Sequence, residues 1–272
     1  MSHHHLLRDD APFGSTVWSR VDEAVLGAAK AQMSARRLLH TDGPYGLGLK
    51  TVPGPEAPAG KPDVDGVTLS AAAGVPVAEI LASFSLPARD IAAFETSGLP
   101  IDLAPAAQAG AACARQEDAL IFGGSKALGA PGLLTAKGTQ TARLKAWTEP
   151  GAAADNLIDA LTKLDAAGFH GPYSLALGPE LYNLLFRRYN QGNQTEIDHV
   201  RTFVTDGIVK APALGDSGVL LASGRQYASI VVGQDLCVGF TGPADGSYEF
   251  FASETLALHL VVPEAVCVLK KK

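Results

Sequence analysis

The chain has 272 residues, of which 22 are basic and 28 acidic, so its formal net charge is −6. Charged residues make up 18% of the sequence and apolar residues 47%, whereas an ordinary soluble domain carries about 25% charged residues. This composition excludes a disordered chain, and no apolar run approaches the roughly 20 residues of a membrane-spanning helix. An isoelectric point near 5.6 argues against a nucleic-acid binder. The low charge content indicates that part of the surface is covered.

The first half of the chain predicts two helices, an irregular segment and a strand. Apolar residues recur at intervals of three and four over 16–40, as in an amphipathic helix. Prolines and glycines interrupt residues 51–77, which form either a disordered insertion or an arm that orders against a neighbouring subunit. A strand is predicted over 79–86. A long helix is predicted over 102–122, with Asp102 as its N-cap and Gly123-Gly124 at its end.

The second half predicts three shorter helices and a strand-rich end. The helices are expected at about 155–167, 179–189 and 195–205, and a short strand at 173–177. Further strands are expected at 218–223, 227–232, 235–241, 248–262 and 264–269. Because helices and strands mix without a regular alternation, the predicted fold class is α+β.

The cysteines indicate a reduced, cytoplasmic protein. Cys113, Cys237 and Cys267 are odd in number and widely spaced, unlike a secreted disulfide framework or a zinc site. The first twelve residues lack the apolar core of a signal peptide. The contiguous histidines at 3–5 lie at the chain end and make a poor fixed metal site, so no metal is expected.

A search for catalytic motifs finds one weak candidate. Gly215-Asp216-Ser217-Gly218 matches the tetrapeptide around the nucleophile of chymotrypsin-like proteases, but the rest of that signature is missing. The favoured interpretation is a polar turn before a strand; the alternative is a hydrolase that uses Ser217 with His40 or His199. Neither a P-loop nor a dinucleotide motif is complete. The sequence therefore predicts no catalytic residues, no enzyme and no cofactor.

Several collinear blocks carry a family resemblance. The first half contributes Ala11-Pro12 with Trp18, Ala35-Arg36-Arg37-Leu38-Leu39, Gly43-Pro44-Tyr45-Gly46, Gln116-Glu117-Asp118 with Ile121-Phe122, and Gly132-Leu133-Leu134. The second half contributes Gly171-Pro172-Tyr173, Gly233-Gln234-Asp235-Leu236, Glu254-Thr255 and Pro263-Glu264-Ala265. Together they resemble the family 1 encapsulins, the linocin-type shell proteins of nanocompartments.

The resemblance implies an α+β fold of the Hong Kong 97-like phage major capsid type. It implies a peripheral domain at 1–50, 86–133 and 227–272, an extended loop at 51–85 and an axial domain at 134–226. The function it implies is self-assembly into a cytoplasmic icosahedral shell that encloses cargo enzymes. An alternative with the same fold is a phage major capsid protein that packages DNA.

The resemblance also implies two sets of site residues. A terminal peptide of the cargo would dock on Ala29, Met33, Arg36, Leu39, His40, Cys237, Val238 and Phe240. Many relatives have Asp at the position of His40 and a larger apolar residue at that of Ala29. A pore at the five-fold axis would be lined by Tyr189, Asn190, Gln191, Gly192, Asn193 and Gln194.

The family includes flavin binders and iron-storing compartments. Flavin-binding relatives have Trp where this chain has Arg89, so no flavin is expected. Residues 116–136 with Trp147 resemble the branch whose cargo is ferritin-like and stores iron. The expected partners are therefore further copies of this chain and a ferritin-like or peroxidase cargo, without nucleic acid or membrane.

Overall fold

The computed structural model describes residues 4–56, 67, 72–190 and 192–270. The α-helices are α1 Ser15–Gln32, α2 Ala35–Leu38, α3 Ala88–Ser97, α4 Ala104–Gly123, α5 Ala152–Ala166, α6 Pro179–Leu184 and α7 Glu196–Val200. The first six strands are β1 His40–Asp42, β2 Thr51–Glu56, β3 Ala72–Pro76, β4 Ala78–Pro87, β5 Gly124–Ser125 and β6 Ala130–Pro131. The others are β7 Gln140–Arg143, β8 Tyr173–Leu177, β9 Gly207–Lys210, β10 Gly218–Ala222, β11 Ala228–Ala244, β12 Ser247–Leu260 and β13 Val266–Lys270.

One core lies between a four-stranded sheet and the two long helices. The strand order is β1-β11-β12-β4, with Phe240 opposite Phe250 and Phe250 opposite Phe84. The Phe84 and Phe250 rings stack with their centroids 5.2 Å apart. Helix α4 packs on β4 and β12, and α1 packs on α4. The apolar stripe of each helix is thereby buried against a neighbour.

A second core lies against a five-stranded sheet. Its strand order is β7-β13-β10-β8-β9, and α5 packs on β7, β10 and β13. Every residue of β8 and β10 is buried, which is typical of strands covered on both faces. The mixture of helices with mainly antiparallel sheets confirms the α+β class. The domain boundaries implied by the resemblance stay a prediction.

The predicted helix at 16–40 is wrong in its length. Helix α1 ends at Gln32, and the short α2 follows after Met33 and Ser34. The buried carboxylate of Asp118 accepts hydrogen bonds from the backbone N–H of Ser34 at 3.0 Å, that of Ala35 at 2.8 Å and the Ser34 hydroxyl at 2.5 Å. It satisfies the first donors of α2 and so fixes the break.

The long helix α4 is confirmed. The predicted N-cap is wrong by one residue, because Leu103 is the N-cap; Asp102 precedes it and accepts a hydrogen bond from the Ala104 N–H at 2.9 Å. The helix of 20 residues spans about 30 Å. Gly110 allows α1 to approach, because a Cβ at this position would lie 2.2 Å from the Val25 carbonyl oxygen. The small residues of α4 therefore permit close helix packing.

The strands predicted at 227–232 and 235–241 form one strand, β11. The pairing with β12 shifts register between Val232 and Gln234 and again between Gln234 and Cys237. Such bulges bend a strand and redirect its side chains. The glycine and polar residues that suggested a gap therefore mark a bulge, which presents Asp235 and Leu236 beside α1.

The proline-rich segment is partly ordered. Strands β2 and β3 form an antiparallel ribbon, and Val52 packs with Val231 of β11 and Ala257 of β12. Residues 57–66 and 68–71 lie outside the described residues. The choice between a disordered insertion and an arm ordered by a neighbouring subunit stays open.

Candidate functional site

Three of the predicted docking residues meet at one cavity, here named the α1–β11 cavity. It has a volume of about 220 Å³ and is lined by Leu26, Ala29, Lys30, Met33, Arg36, Arg37, Asp235 and Leu236. The first four residues recur at intervals of three and four and so lie on one face of α1. The bulge in β11 supplies Asp235 and Leu236 on the other side. The result is an apolar hollow with charged groups at its rim.

Arg36 joins four elements at the edge of this cavity. Its Nε donates to both carboxylate oxygens of Glu117 at 2.9 Å. Its Nη1 donates to Asp235 Oδ1 at 2.7 Å and its Nη2 to Glu254 Oε2 at 2.9 Å. Burial opposes the charged form of Arg36, but Glu117 and Asp235 outweigh that effect and raise its pKa. Arg36 is thus a structural cation whose donors already have partners.

Glu254 is the carboxyl group in this cluster whose charged form is disfavoured. Its side chain is 0% exposed, and its Oε1 has no hydrogen-bond partner among the described residues. Burial, reinforced by the nearby charge of Glu117 and only partly offset by Arg36, raises the pKa of Glu254 to about 8. Burial thus favours the protonated form of Glu254.

The remaining predicted docking residues lie elsewhere. Leu39, Val238 and Phe240 are buried in the first core. The His40 side chain is 52% exposed, lies 3.4 Å from Asp42 and lines a separate cavity of about 500 Å³. Cys237 is half-buried, and burial raises its pKa to about 11. The structure thus places Ala29, Met33 and Arg36 together, and the docking role of all eight residues stays a prediction.

An N-terminal arm, defined here as residues 4–13, was not predicted. His5 Nε2 lies 2.5 Å from Gln234 Oε1, and Gln234 Nε2 donates to Cys237 Sγ at 3.0 Å. At its end, the Phe13 ring packs on Phe240 with their centroids 5.7 Å apart. The arm therefore covers the part of β11 that holds Cys237 and Phe240. The aromatic pair Phe13 and Trp18 was the available signal.

The predicted pore residues form a loop between α6 and α7, and Gln191 lies outside the described residues. Tyr189 N–H donates to the Gln194 carbonyl at 3.2 Å, and its hydroxyl lies 2.8 Å from His199 Nδ1. Asn190, Gly192, Asn193 and Gln194 are exposed. Buried Glu196 fixes the base of the loop, since it accepts hydrogen bonds from three N–H groups at the start of α5 and from Arg187. The pore role stays a prediction.

The hydrolase alternative finds no geometric support in the described part of the chain. The Ser217 hydroxyl donates to the Leu214 carbonyl at 2.6 Å. His40 lies beside Asp42 and His199 beside Tyr189, so no hydrogen bond there joins either histidine to Ser217.

Among the residues that the structure describes, no three His, Cys, Asp or Glu side chains form a metal-binding group. None of the described helices is long and apolar enough to cross a membrane.

Comparison with known proteins identifies the family. The model of the Linocin_M18 family, described as the encapsulating protein for peroxidase, matches residues 3–257. The chain belongs to the encapsulin family. It is 35% identical over 269 residues to the type 1 encapsulin shell protein EncA of Myxococcus xanthus, covering 95% of this chain and 94% of that protein. The family resemblance expected from the sequence is thereby confirmed.

Two encapsulin relatives are fusion proteins. A diheme-cytochrome-encapsulin shell fusion protein of Kuenenia stuttgartiensis is 30% identical over 264 residues, covering 93% of this chain and 72% of that protein. A ferritin-like-encapsulin shell fusion protein of Pyrococcus furiosus is 25% identical over 170 residues, covering 62% of this chain and 47% of that protein. In both proteins the shell sequence is joined to a domain of another kind.

Solved structures confirm the Hong Kong 97-like capsid fold of this encapsulin. A virus-like particle from Pyrococcus furiosus matches with a TM-score of 0.76 at 20% identity, covering 93% of this chain and 99% of that one. The capsid of the myovirus XM1 matches with a TM-score of 0.62 at 14% identity, covering 88% of this chain and 91% of that one. At these identities the likeness concerns the fold alone. The encapsulin family is one of structural shell proteins.

Proposed function

We propose that copies of this chain assemble into a closed icosahedral shell that encloses cargo enzymes. The observation that carries the proposal is the encapsulin family match over residues 3–257. Sedimentation velocity of the purified chain tests it. We expect one fast, narrow boundary from a closed particle, and a slow boundary from monomers or dimers at micromolar concentration would contradict it.

In this proposal a short terminal peptide of the cargo docks in the α1–β11 cavity. The apolar walls formed by Leu26, Met33 and Leu236 support binding of an aliphatic side chain, and Ala29 leaves the room for it. Arg36 is not the charged contact, because its donors already pair with Glu117, Asp235 and Glu254. Lys30 and Arg37 are exposed and have no ion-pair partner among the described residues, so they are the available cations.

Filling the cavity tests this docking. The probe is a fluorescent protein that carries the C-terminal tail of the protein encoded beside the shell gene. Ala29→Phe places a phenyl ring in the cavity, and we expect about tenfold less co-purified fluorescence per shell. Ala31→Phe is the matched control, because Ala31 is exposed on the opposite side of α1. Equal loading of the two variants would contradict docking in this cavity.

The loop at 189–194 forms a polar pore in this proposal. Asn190, Asn193 and Gln194 carry uncharged amides, which provide hydrogen bonds without a strong field for either ion sign. An encapsulated fluorophore quenched by iodide tests it. We expect the double variant Asn190→Asp with Asn193→Asp to slow quenching by iodide but not by neutral acrylamide. An unchanged iodide rate would contradict a pore at this loop.

The cargo is proposed to be ferritin-like or a peroxidase. The family description names peroxidase, and one relative is fused to a ferritin-like domain. A ferritin-like cargo would make the compartment an iron store. Mass spectrometry of proteins retained in particles from the native host, after treatment with protease to remove external proteins, tests this. A retained cargo of another class would contradict the proposal.

The chain itself is proposed to be a cytoplasmic, non-enzymatic wall without a bound cofactor. The three unpaired cysteines support a reducing compartment. Arg89, where flavin-binding relatives have Trp, supports the expectation that no flavin binds. We expect Ser217→Ala to leave peptide hydrolysis by the preparation unchanged. Loss of hydrolysis in this variant would favour the hydrolase alternative.

The phage capsid alternative remains a second candidate because its fold is the same. The match to the capsid of the myovirus XM1 supports the fold but not the contents. Purified particles treated with nuclease and then opened would distinguish the two. We expect no protected DNA, and genome-length protected DNA would favour the phage capsid function.

A further inference from the structure

Helix α1 carries one continuous face that borders two cavities. Leu26, Ala29, Lys30 and Met33 line the α1–β11 cavity. Ser15, Trp18, Ser19 and Asp22 line a second cavity of about 630 Å³. The spacing of three and four residues places both groups on the same side of the helix. The two cavities therefore border the same face of α1, and residues of the N-terminal arm line only the second of them.

Arg8 of the arm fills a site that recognises a guanidinium group in two ways. Its Nη2 donates to Asp22 Oδ2 at 2.7 Å and its Nη1 to Asp22 Oδ1 at 3.2 Å, which is the bidentate geometry of an arginine–carboxylate pair. Its guanidinium carbon lies 4.1 Å from the centroid of the Trp18 ring. A planar cation stacked on indole while it chelates a carboxylate is a contact specific to arginine.

The ion pair that attaches the arm at this site reaches solvent. The Arg8 and Asp22 side chains are 30% and 31% exposed. Before Phe13, the buried apolar anchor is Leu6. Pro12 and Gly14 interrupt the chain around Phe13, whose ring remains in the aromatic core. Residues 4–10 can therefore leave while Phe13 stays in place.

We propose that Trp18 and Asp22 form an arginine-binding site that Arg8 fills in the unliganded chain and that an arginine of a docked segment takes over. The role of this site in cargo capture rests on the proposed function, since the segment would run on from the α1–β11 cavity. Departure of Arg8 from the site would also release His5 from Gln234. Gln234 Nε2 donates to Cys237 Sγ at 3.0 Å and to Ser253 Oγ at 3.2 Å. Loss of its contact with His5 would leave the Gln234 side chain held by Ser253 besides Cys237 itself, so displacement of residues 4–10 would further expose the half-buried Cys237.

Reactivity of Cys237 reports the displacement without any cargo. Cys113 and Cys267 are buried in the two cores and serve as internal controls. Assembled native protein is treated with a maleimide, and modification at each cysteine is measured by peptide mass spectrometry. The probe is N-acetylargininamide at high concentration, and the matched control is the citrulline analogue, which has the same shape but no charge.

We expect the arginine probe, and not the citrulline analogue, to accelerate modification of Cys237. We expect Arg8→Ala to accelerate it about threefold to thirtyfold by itself, as loss of a half-exposed ion pair and a cation–π contact implies. Asp22→Asn should accelerate it too and should abolish the response to the probe. Equal effects of the two probes, or an unchanged rate in Arg8→Ala, would overturn the proposal.

The controls distinguish failure of the arginine site from unfolding of a variant and from failure of cargo docking. If Arg8→Ala also exposes Cys113 and Cys267, the variant has unfolded, and the native protein with the two probes decides the question. Failure of cargo tails to load while the arginine probe still accelerates Cys237 would contradict the docking function and leave the arginine site intact. Tail loading without any effect of the arginine probe would contradict the arginine site alone.

Discussion

Arg36 has partners in the structure that its sequence context does not indicate. The family resemblance places it among residues that contact a cargo peptide, which stays a prediction. In the structure its partners Glu117, Asp235 and Glu254 are 81, 199 and 218 residues away in the sequence. Such distant hydrogen bonds cannot be found from local patterns. The neighbouring Arg37 is exposed and is the better candidate for a peptide contact.

Glu254 makes stability depend on pH. The pKa is raised from 4.5 to about 8 in the folded protein, so the folded state binds this proton more tightly than the unfolded state. The contribution is fully present below pH 4.5 and is lost as the pH rises through about 8. Between pH 5 and pH 8 we expect the native protein to lose about 2–4 kcal/mol more unfolding free energy than the Glu254→Gln variant loses. Thermal unfolding at both pH values measures it, and parallel losses would contradict the assignment.

Asp118 and Asp102 offer a comparison of a buried and an exposed carboxylate that accepts hydrogen bonds near the start of a helix. Asp118→Ala leaves the Ser34 and Ala35 N–H groups buried without acceptors, so we expect a loss of about 3 kcal/mol of unfolding free energy. Asp102→Ala removes a similar bond at the exposed start of α4, with an expected loss of about 1 kcal/mol. Denaturant titration of both variants checks this, and losses of equal size would show that burial does not govern the effect.

Among the elements, α4 depends on a glycine where α1 crosses it. Gly110→Ala would place Cβ 2.2 Å from the Val25 carbonyl oxygen, so the two helices must separate; we expect a loss of about 2 kcal/mol or more. Gly27→Ala on α1 is the matched control, because its Cβ meets nothing within 4 Å, and it should gain about 0.5–1 kcal/mol. Melting temperatures of the two variants should shift in opposite directions. A shift of the same sign would contradict this packing.

Local patterns predict the elements whose causes are local. Helix α4 has its proline and its terminal glycines in the sequence, with Asp102 one residue before its N-cap, and strand β8 is found at the predicted bounds. Elements decided by distant residues are missed. Asp118 ends the first helix from 84 residues away, and pairing with β12 carries β11 through its bulge. Helices α6 and α7 are shorter than predicted because a turn follows each of them, at 185–187 and at 201–203.

In the candidate site, too, local patterns predict some residues, while contacts between distant residues are missed. Periodicity along α1, together with the family resemblance, predicts Ala29 and Met33, which do line one cavity. Neither predicts that the N-terminal arm lies over Cys237, because that contact depends on His5 and Gln234, 229 residues apart. The arm also explains why two strand residues of the predicted docking set are shielded. The sequence therefore predicts residues of the α1–β11 cavity but not the N-terminal arm that covers part of β11.

For the whole molecule, the low charge content has a physical explanation in assembly. Interfaces of permanent complexes are poorer in charge than free surface. Large apolar side chains are exposed on the single chain, among them Tyr45 at 62%, Leu99 at 56% and Phe186 at 54%. These positions lie far apart in the sequence, in three separate parts of the fold. We therefore expect several faces of each subunit to be covered by neighbours.

Electron microscopy of the purified chain in negative stain shows whether the subunits assemble by themselves. We expect uniform, hollow, closed particles that form without cargo and without nucleic acid. A preparation that contains only monomers or dimers at micromolar concentration, with the chain folded by circular dichroism, would contradict it.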